Sequence, residues 1–264
     1  MRSFKLRPSF PGHLFTLAVL LVLMPGLGGC RARQRTTLTL SGAASLKDSI
    51  EETEAAFKQK HNDIDFRNNF GSSGTLASQI SQGAPADLFL SAAAKPMDNL
   101  AAKGMIVADT RRNLLNNALV LVAPLDSKLH DFQGLADKSI RLIALGDPAS
   151  VPAGQYSKQT LLSLHLWDQL NAKLVLGKDV RQVLTYAETG NADAGLIYAT
   201  DALTSTRVRV IAIAPESTHD PIVYPAAVVK GSRNEATARA FIDYLASPAA
   251  QAIFRRHGFT IATP

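Results

Sequence analysis

Short apolar strands alternate with helical stretches along nearly the whole chain from residue 37 onward, and this rhythm restricts the fold more than any other feature. Thr37-Leu38-Thr39-Leu40-Ser41 alternates polar and apolar side chains, the period of a strand. Ser45-Leu46-Lys47-Asp48 then opens a helical pattern running to about Lys60. Residues 64–70 read as a second strand, Gly71-Ser72-Ser73-Gly74 turns into a short helix over 75–82, and residues 87–91 form a third strand before a helix over 96–103. A second set of strands is expected at 118–123, 141–145, 194–197, 208–213 and 223–229. Helices over 154–165 and 180–189 are interleaved with them, and one long helix over 234–256 ends the chain. Strands separated by helices of this length argue for an α/β fold with mainly parallel sheets. The 264 residues are too many for one small core and suit two domains of about 100 residues each.

The net charge of +6 suggests nucleic acid until its location is considered. Arg2, Lys5 and Arg7 lie at the extreme N-terminus, and Arg31, Arg33 and Arg35 follow the first apolar run. Without those six, 22 basic residues balance 22 acidic ones, so the body of the chain carries no basic surplus for a nucleic acid.

The N-terminus has the order of an export signal: basic residues, then Leu14-Phe15-Thr16-Leu17-Ala18-Val19-Leu20-Leu21-Val22-Leu23-Met24. This run is shorter than the ~20 residues a membrane-spanning helix needs. Leu27-Gly28-Gly29-Cys30 follows, an aliphatic residue and two small ones before a cysteine, and it resembles a bacterial lipobox. Residues 1–29 are then a lipoprotein signal, Cys30 the acylated residue, and 30–35 a tether whose arginines suit anionic headgroups. Cys30 is the only cysteine, so neither a disulfide framework nor a thiolate metal site is available.

Enzymatic chemistry finds little support. The six histidines, at 13, 61, 130, 165, 219 and 257, show no metal-ligand spacing. There is no Gly-x-Ser-x-Gly elbow and no phosphate-binding Gly-Lys-Ser/Thr loop. What recurs is a small or hydroxyl residue at a strand-to-helix junction: Ala43-Ala44-Ser45, Ser72-Ser73-Gly74, Pro152-Ala153-Gly154 and Asp179-Val180. Helix N-termini carry unpaired N–H groups and the positive end of the dipole, so several of them converging would bind an anion without any lysine or arginine. Taken singly, each junction is equally an ordinary helix cap.

Several motifs, in order, resemble the periplasmic molybdate-binding protein family: Gly42-Ala43-Ala44-Ser45-Leu46, Phe70-Gly71-Ser72-Ser73-Gly74-Thr75-Leu76, Gly83-Ala84-Pro85-Ala86-Asp87-Leu88-Phe89-Leu90-Ser91-Ala92, Gly146-Asp147-Pro148-Ala149-Ser150-Val151-Pro152-Ala153-Gly154, Asp179-Val180-Arg181, Gly195-Leu196-Ile197-Tyr198 and Ile253-Phe254-Arg255-Arg256-His257-Gly258-Phe259. The resemblance implies a type II periplasmic-binding fold, with one lobe over 36–117 plus 227–264, the other over 118–226, and the ligand in the cleft between them. It assigns ligand hydroxyls to Ser45 and Ser73, backbone donors to Ala153 and Val180, and a phenol to Tyr198. Asp179 is read as the cap of the helix that begins at Val180. Gly42 stands where the family commonly has alanine, and Gly74 replaces a frequent third serine, leaving backbone donors beside Ser73.

The implied protein is a monomeric receptor, not an enzyme, without cofactor or direct metal ligands. It is exported to the periplasm or cell surface, held to a membrane through Cys30, and delivers molybdate or tungstate to the permease and cytoplasmic ATPase of an ABC importer. A receptor of the same fold for another oxyanion such as sulfate, or an enzyme or sensor on this fold, are the alternatives.

Overall fold

The computed structural model describes residues 35–263; the export signal and Cys30 lie outside the described residues. The elements run β1 (Thr36–Ala43), α1 (Lys47–Lys58), β2 (Ile64–Gly71), α2 (Ser73–Ser81), β3 (Leu88–Leu90), α3 (Ala94–Ala102), β4 (Arg112–Asn116) and β5 (Leu119–Pro124). They continue with β6 (Ile143–Gly146), α4 (Pro152–Ser163), α5 (Trp167–Leu170), β7 (Leu174–Gly177), α6 (Val180–Glu188), β8 (Ala194–Tyr198), α7 (Ala199–Ala202) and β9 (Val208–Ile213). The last are β10 (Val223–Val228), α8 (Glu235–Leu245), α9 (Pro248–Arg256) and β11 (Thr260–Ile261).

Two sheets result. The first has the order β11-β4-β10-β3-β1-β2 and the second β7-β6-β8-β5-β9. The chain passes from the first sheet to the second between β4 and β5 and returns between β9 and β10. The return therefore precedes Val223, a few residues earlier than the boundary at 226/227 read from the sequence.

The α/β class holds, but the sheets are mixed and not mainly parallel. β1 pairs in parallel with β2 and β3, and β6 with β7 and β8, whereas β10 and β5 run antiparallel to both their neighbours. β5 and β10 are each the first strand after a crossover, where the chain enters a sheet directly and not through a helical return, and the C-terminal edge strand β11 is likewise antiparallel to β4.

Apolar strand residues build the core. Leu38, Leu40, Leu88 and Phe89 in the first sheet are fully buried, as are Leu121, Val122, Ile143, Leu145, Leu196 and Ile197 in the second. The expected helix over 234–256 is broken into α8 and α9 at Ser247-Pro248. Proline lacks the N–H for the helical bond and its ring collides with the carbonyl four residues back, so it can only start a new helix. Ser247 caps that start by accepting from Ala250 N. Three strands went unread: β4, β7 and β11 are short, and their pairing comes from neighbours remote in the chain.

One buried carboxylate in the first half makes a pH-dependent contribution. Glu54 on α1 accepts from Asn68 Nδ2 at 2.9 Å through Oε2, while Oε1 has no partner. Burial pushes its pKa up to about 7, only partly opposed by the Asn68 bond. The folded state then holds a proton that the unfolded chain has released, so stability falls as pH rises from about 4.5 to 7. Glu54→Gln should raise the melting temperature at pH 8 by about 2–4 °C and leave it nearly unchanged at pH 4.5. Melting curves at the two pH values check this, and an equal shift at both would contradict it.

Candidate ligand-binding cleft

Six segments converge on one small cavity of about 10 Å³ between the two sheets. From the first half come the end of β1 with Ala43, Ala44 and Ser45, the start of α2 with Ser72 and Ser73, and Ala92 after β3. From the second half come Val151, Pro152 and Ala153 at the start of α4, Val180 at the start of α6, and Tyr198 at the end of β8. Ser45, Ser73, Ala153, Val180 and Tyr198, the residues singled out in the sequence, all line it. No lining side chain is charged.

The hydroxyls are braced by partners from behind the cavity. Ser73 is fully buried, and its Oγ accepts from Ala92 N at 2.9 Å. Ser45 Oγ lies 3.0 Å from the Tyr224 hydroxyl, whose oxygen accepts from Asn117 Nδ2 at 3.1 Å. Ser73 thus receives a hydrogen from the protein and keeps its own O–H free to donate, while Ser45 is paired from behind with Tyr224. Burial holds the phenols of Tyr198 and Tyr224 far above their ordinary pKa, so both remain protonated donors. Tyr198 Oη donates to Ala92 O at 3.3 Å.

Backbone donors complete the lining. α4 begins with Pro152, which has no N–H, and Val151 before it provides no side-chain cap. The first amide hydrogen of α4 is therefore that of Ala153. Gly154 sits so close to the carbonyl of Gly146 that no side chain fits, which lets α4 start directly against β6. At α6, Asp179 is the cap: its Oδ1 accepts from Gln182 N at 2.9 Å, leaving the Val180 amide at the cavity. This agrees with the cap read from the sequence.

Sequence reading missed three contributors. Ala92 serves through its backbone, which any residue has, while Tyr224 and Asn117 act from behind Ser45 and lie in no motif. Gly74 differs from expectation. Its N–H is used on Ser150 O at 3.0 Å, across to the second half, and is not left for the cavity. A Cβ there would collide with that same carbonyl, so the missing hydroxyl is the condition for close approach of the two halves.

Among the described residues no group of histidine, cysteine, aspartate and glutamate could hold a metal ion, and no helix is long and apolar enough to cross a membrane. A cleft between two α/β halves, lined by neutral donors around a small cavity, defines a solute-binding protein.

Comparison with known proteins agrees. Residues 38–260 match the bacterial extracellular solute-binding protein family, and the chain belongs to that family. It is 45% identical over 243 residues, covering 89% of this chain and 93% of the relative, to a Bacillus subtilis protein named as an ABC transporter substrate-binding lipoprotein, YvgL. It is 44% identical over 230 residues to the molybdate-binding protein ModA of Escherichia coli, covering 85% of this chain and 89% of that one. The solved periplasmic molybdate-binding protein of Azotobacter vinelandii superposes with a TM-score of 0.77 at 26% identity, over 86% of this chain and all (100%) of that one. The type II periplasmic-binding fold is therefore that of this chain, which is a binding protein and not an enzyme.

Gly74→Ala should keep the two halves apart without altering any donor of the cavity. Small-angle scattering of the variant should give a larger radius of gyration than wild type under conditions where wild type is closed. Identical curves would remove the steric role of Gly74.

Proposed function

We propose that this chain is the extracytoplasmic receptor of an ABC importer that captures molybdate or tungstate and delivers it to a membrane permease driven by a cytoplasmic ATPase. The observation that carries this reading is the convergence of Ser45, Ser73, Ala153, Val180 and Tyr198 on one uncharged cavity. The likeness to proteins named as molybdate-binding supports it. The five residues act as the ligand set: hydroxyls of Ser45, Ser73 and Tyr198, the last turning its hydrogen from the Ala92 carbonyl to the ligand, and amides of Ala153 and Val180. The oxyanion is cargo, no cofactor takes part, and the receptor works as a monomer of two lobes.

Neutral donors suffice for a dianion because a hydrogen bond to a charged acceptor strengthens when water is excluded. Closure is favoured because the ligand meets donors from both halves only when they are together, a differential affinity for one conformer. The same polarity rejects phosphate. A fully deprotonated oxyanion presents acceptors alone, whereas phosphate near neutral pH keeps a proton that needs an acceptor. The serine oxygens already accept from Ala92 and face Tyr224, amides cannot accept, and the Asp179 carboxylate accepts from its own helix. Sulfate carries no proton but is smaller, so donors spaced for molybdate would stand too far from it.

Calorimetry with molybdate, tungstate, sulfate and phosphate tests the reading. Molybdate and tungstate should bind tightly and phosphate at least about tenfold more weakly, the effect of one unpaired buried polar group. A preference for sulfate would make this a receptor for a different cargo. Ser45→Ala and Ser73→Ala should each weaken molybdate binding by about 1.5–3 kcal/mol. Lower thermal stability with unchanged affinity would reduce both serines to bracing for Tyr224 and Ala92.

The proposed anchor is Cys30, within Leu27-Gly28-Gly29-Cys30, and a relative named as a lipoprotein supports it. Cys30→Ser should abolish acylation and leave the precursor uncut, with molybdate affinity unchanged. Mass spectrometry of the wild-type mature protein showing an unacylated N-terminus at another bond would refute the anchor.

A further inference from the structure

Arg181 follows the cavity residue Val180, yet its side chain turns away from the cavity, into a set of ion pairs that joins the two halves. Within its own half, Nε meets Asp201 Oδ1 at 2.5 Å. Asp201 is fully buried on α7, and neither of its oxygens has a well-aligned hydrogen bond, so the guanidinium is the charge that compensates it. Burial pushes the Asp201 pKa up, and Arg181 pulls against it. Nη1 also donates to Thr204 Oγ1 at 3.3 Å. From this seat Nη2 reaches into the first half and meets Asp48 Oδ2 at 2.6 Å, in the first turn of α1. Asp48 lies three residues beyond Ser45, and Arg181 one beyond Val180. The pair therefore flanks the cavity and is not among its lining residues.

We propose that Arg181 is a positioning residue for the closed receptor, a guanidinium anchored on Asp201 that latches the two halves together through Asp48 and slows ligand release. This rests on the reading of the cavity as the molybdate site. An isolated surface pair gains little because two flexible side chains must be ordered to make it. Here the guanidinium is already held by Asp201 and Thr204, so closure orders only the short Asp48 side chain. Asp48 and Arg181 stand on separate halves, so their contact exists only when the halves are closed. Its loss falls on the release step, since ligand first meets an open receptor.

Replacing Arg181 would leave Asp201 buried and unpaired and risks the fold, so the informative change is at the exposed partner. In stopped-flow measurements with molybdate on the full chain, Asp48→Asn should raise the dissociation rate about threefold. The association rate and the melting temperature without ligand should stay at wild-type values. Asp48→Glu, which keeps the charge, should recover most of the slow release. Release from wild type should quicken with added salt, and release from Asp48→Asn should not. An unchanged dissociation rate in Asp48→Asn, or a loss confined to association or to thermal stability, would overturn the latch. Wild-type protein that binds no molybdate would instead overturn the reading of the cavity, and the latch with it.

Discussion

The amide of Ala92 is hydrogen-bonded to the Ser73 oxygen and the hydroxyl of Tyr224 to that of Ser45, and the rest of the cleft depends on those two contacts. A free serine hydroxyl donates or accepts as its surroundings demand. Once its oxygen accepts from behind, its own O–H is left to donate to the cavity. The arrangement extends inward from there. Tyr224 is fixed by Asn117, and Asn117 also holds the Ala118 amide and Thr200 at the point where the chain crosses between sheets. Ala92 accepts from Tyr198 and so ties the first half to the second. The polarity of the cavity and the joining of the halves are thus parts of one hydrogen-bond network.

Charge is kept out of the cavity and used beside it. The cavity has uncharged walls, while Arg181, Asp48 and Asp201 gather just outside. A lysine or arginine within the cavity would attract any anion, protonated or not. Amides and oriented hydroxyls also require that every ligand oxygen accept, which adds a test of protonation state to the attraction of charge. On the function proposed here, neutral walls provide selectivity and the flanking ions hold the closed state.

Much of this could be read from the sequence. The strand and helix rhythm is local, set by side chains that alternate at periods of two or 3.6 residues, and it located β1, β2, α2, β9 and most other elements closely. It failed where local preference was overruled. Pro248 split a helix that periodicity alone would have continued. β4, β7 and β11 became strands through partners far away in the chain. The mixed pairing of both sheets is likewise a property of the crossovers and leaves no trace in the strand residues themselves.

The sequence by itself marked helix-start positions at Ser45, Ser73, Ala153 and Val180 as possible donors to an anion, since these are local facts, while Tyr198 was reached only through the family resemblance. It could not bring them to one cavity, because their separations along the chain say nothing of distance in space. Only the tertiary structure decided that Ser73 accepts from Ala92, that Tyr224 backs Ser45, and that Arg181 reaches Asp48. Gly74 shows the difference most clearly. In sequence it is a serine lost from a motif, while in the fold it is the one residue small enough to let a carbonyl of the opposite half come within hydrogen-bonding distance. Steric exclusion acts between surfaces, and those surfaces exist only once both halves have folded.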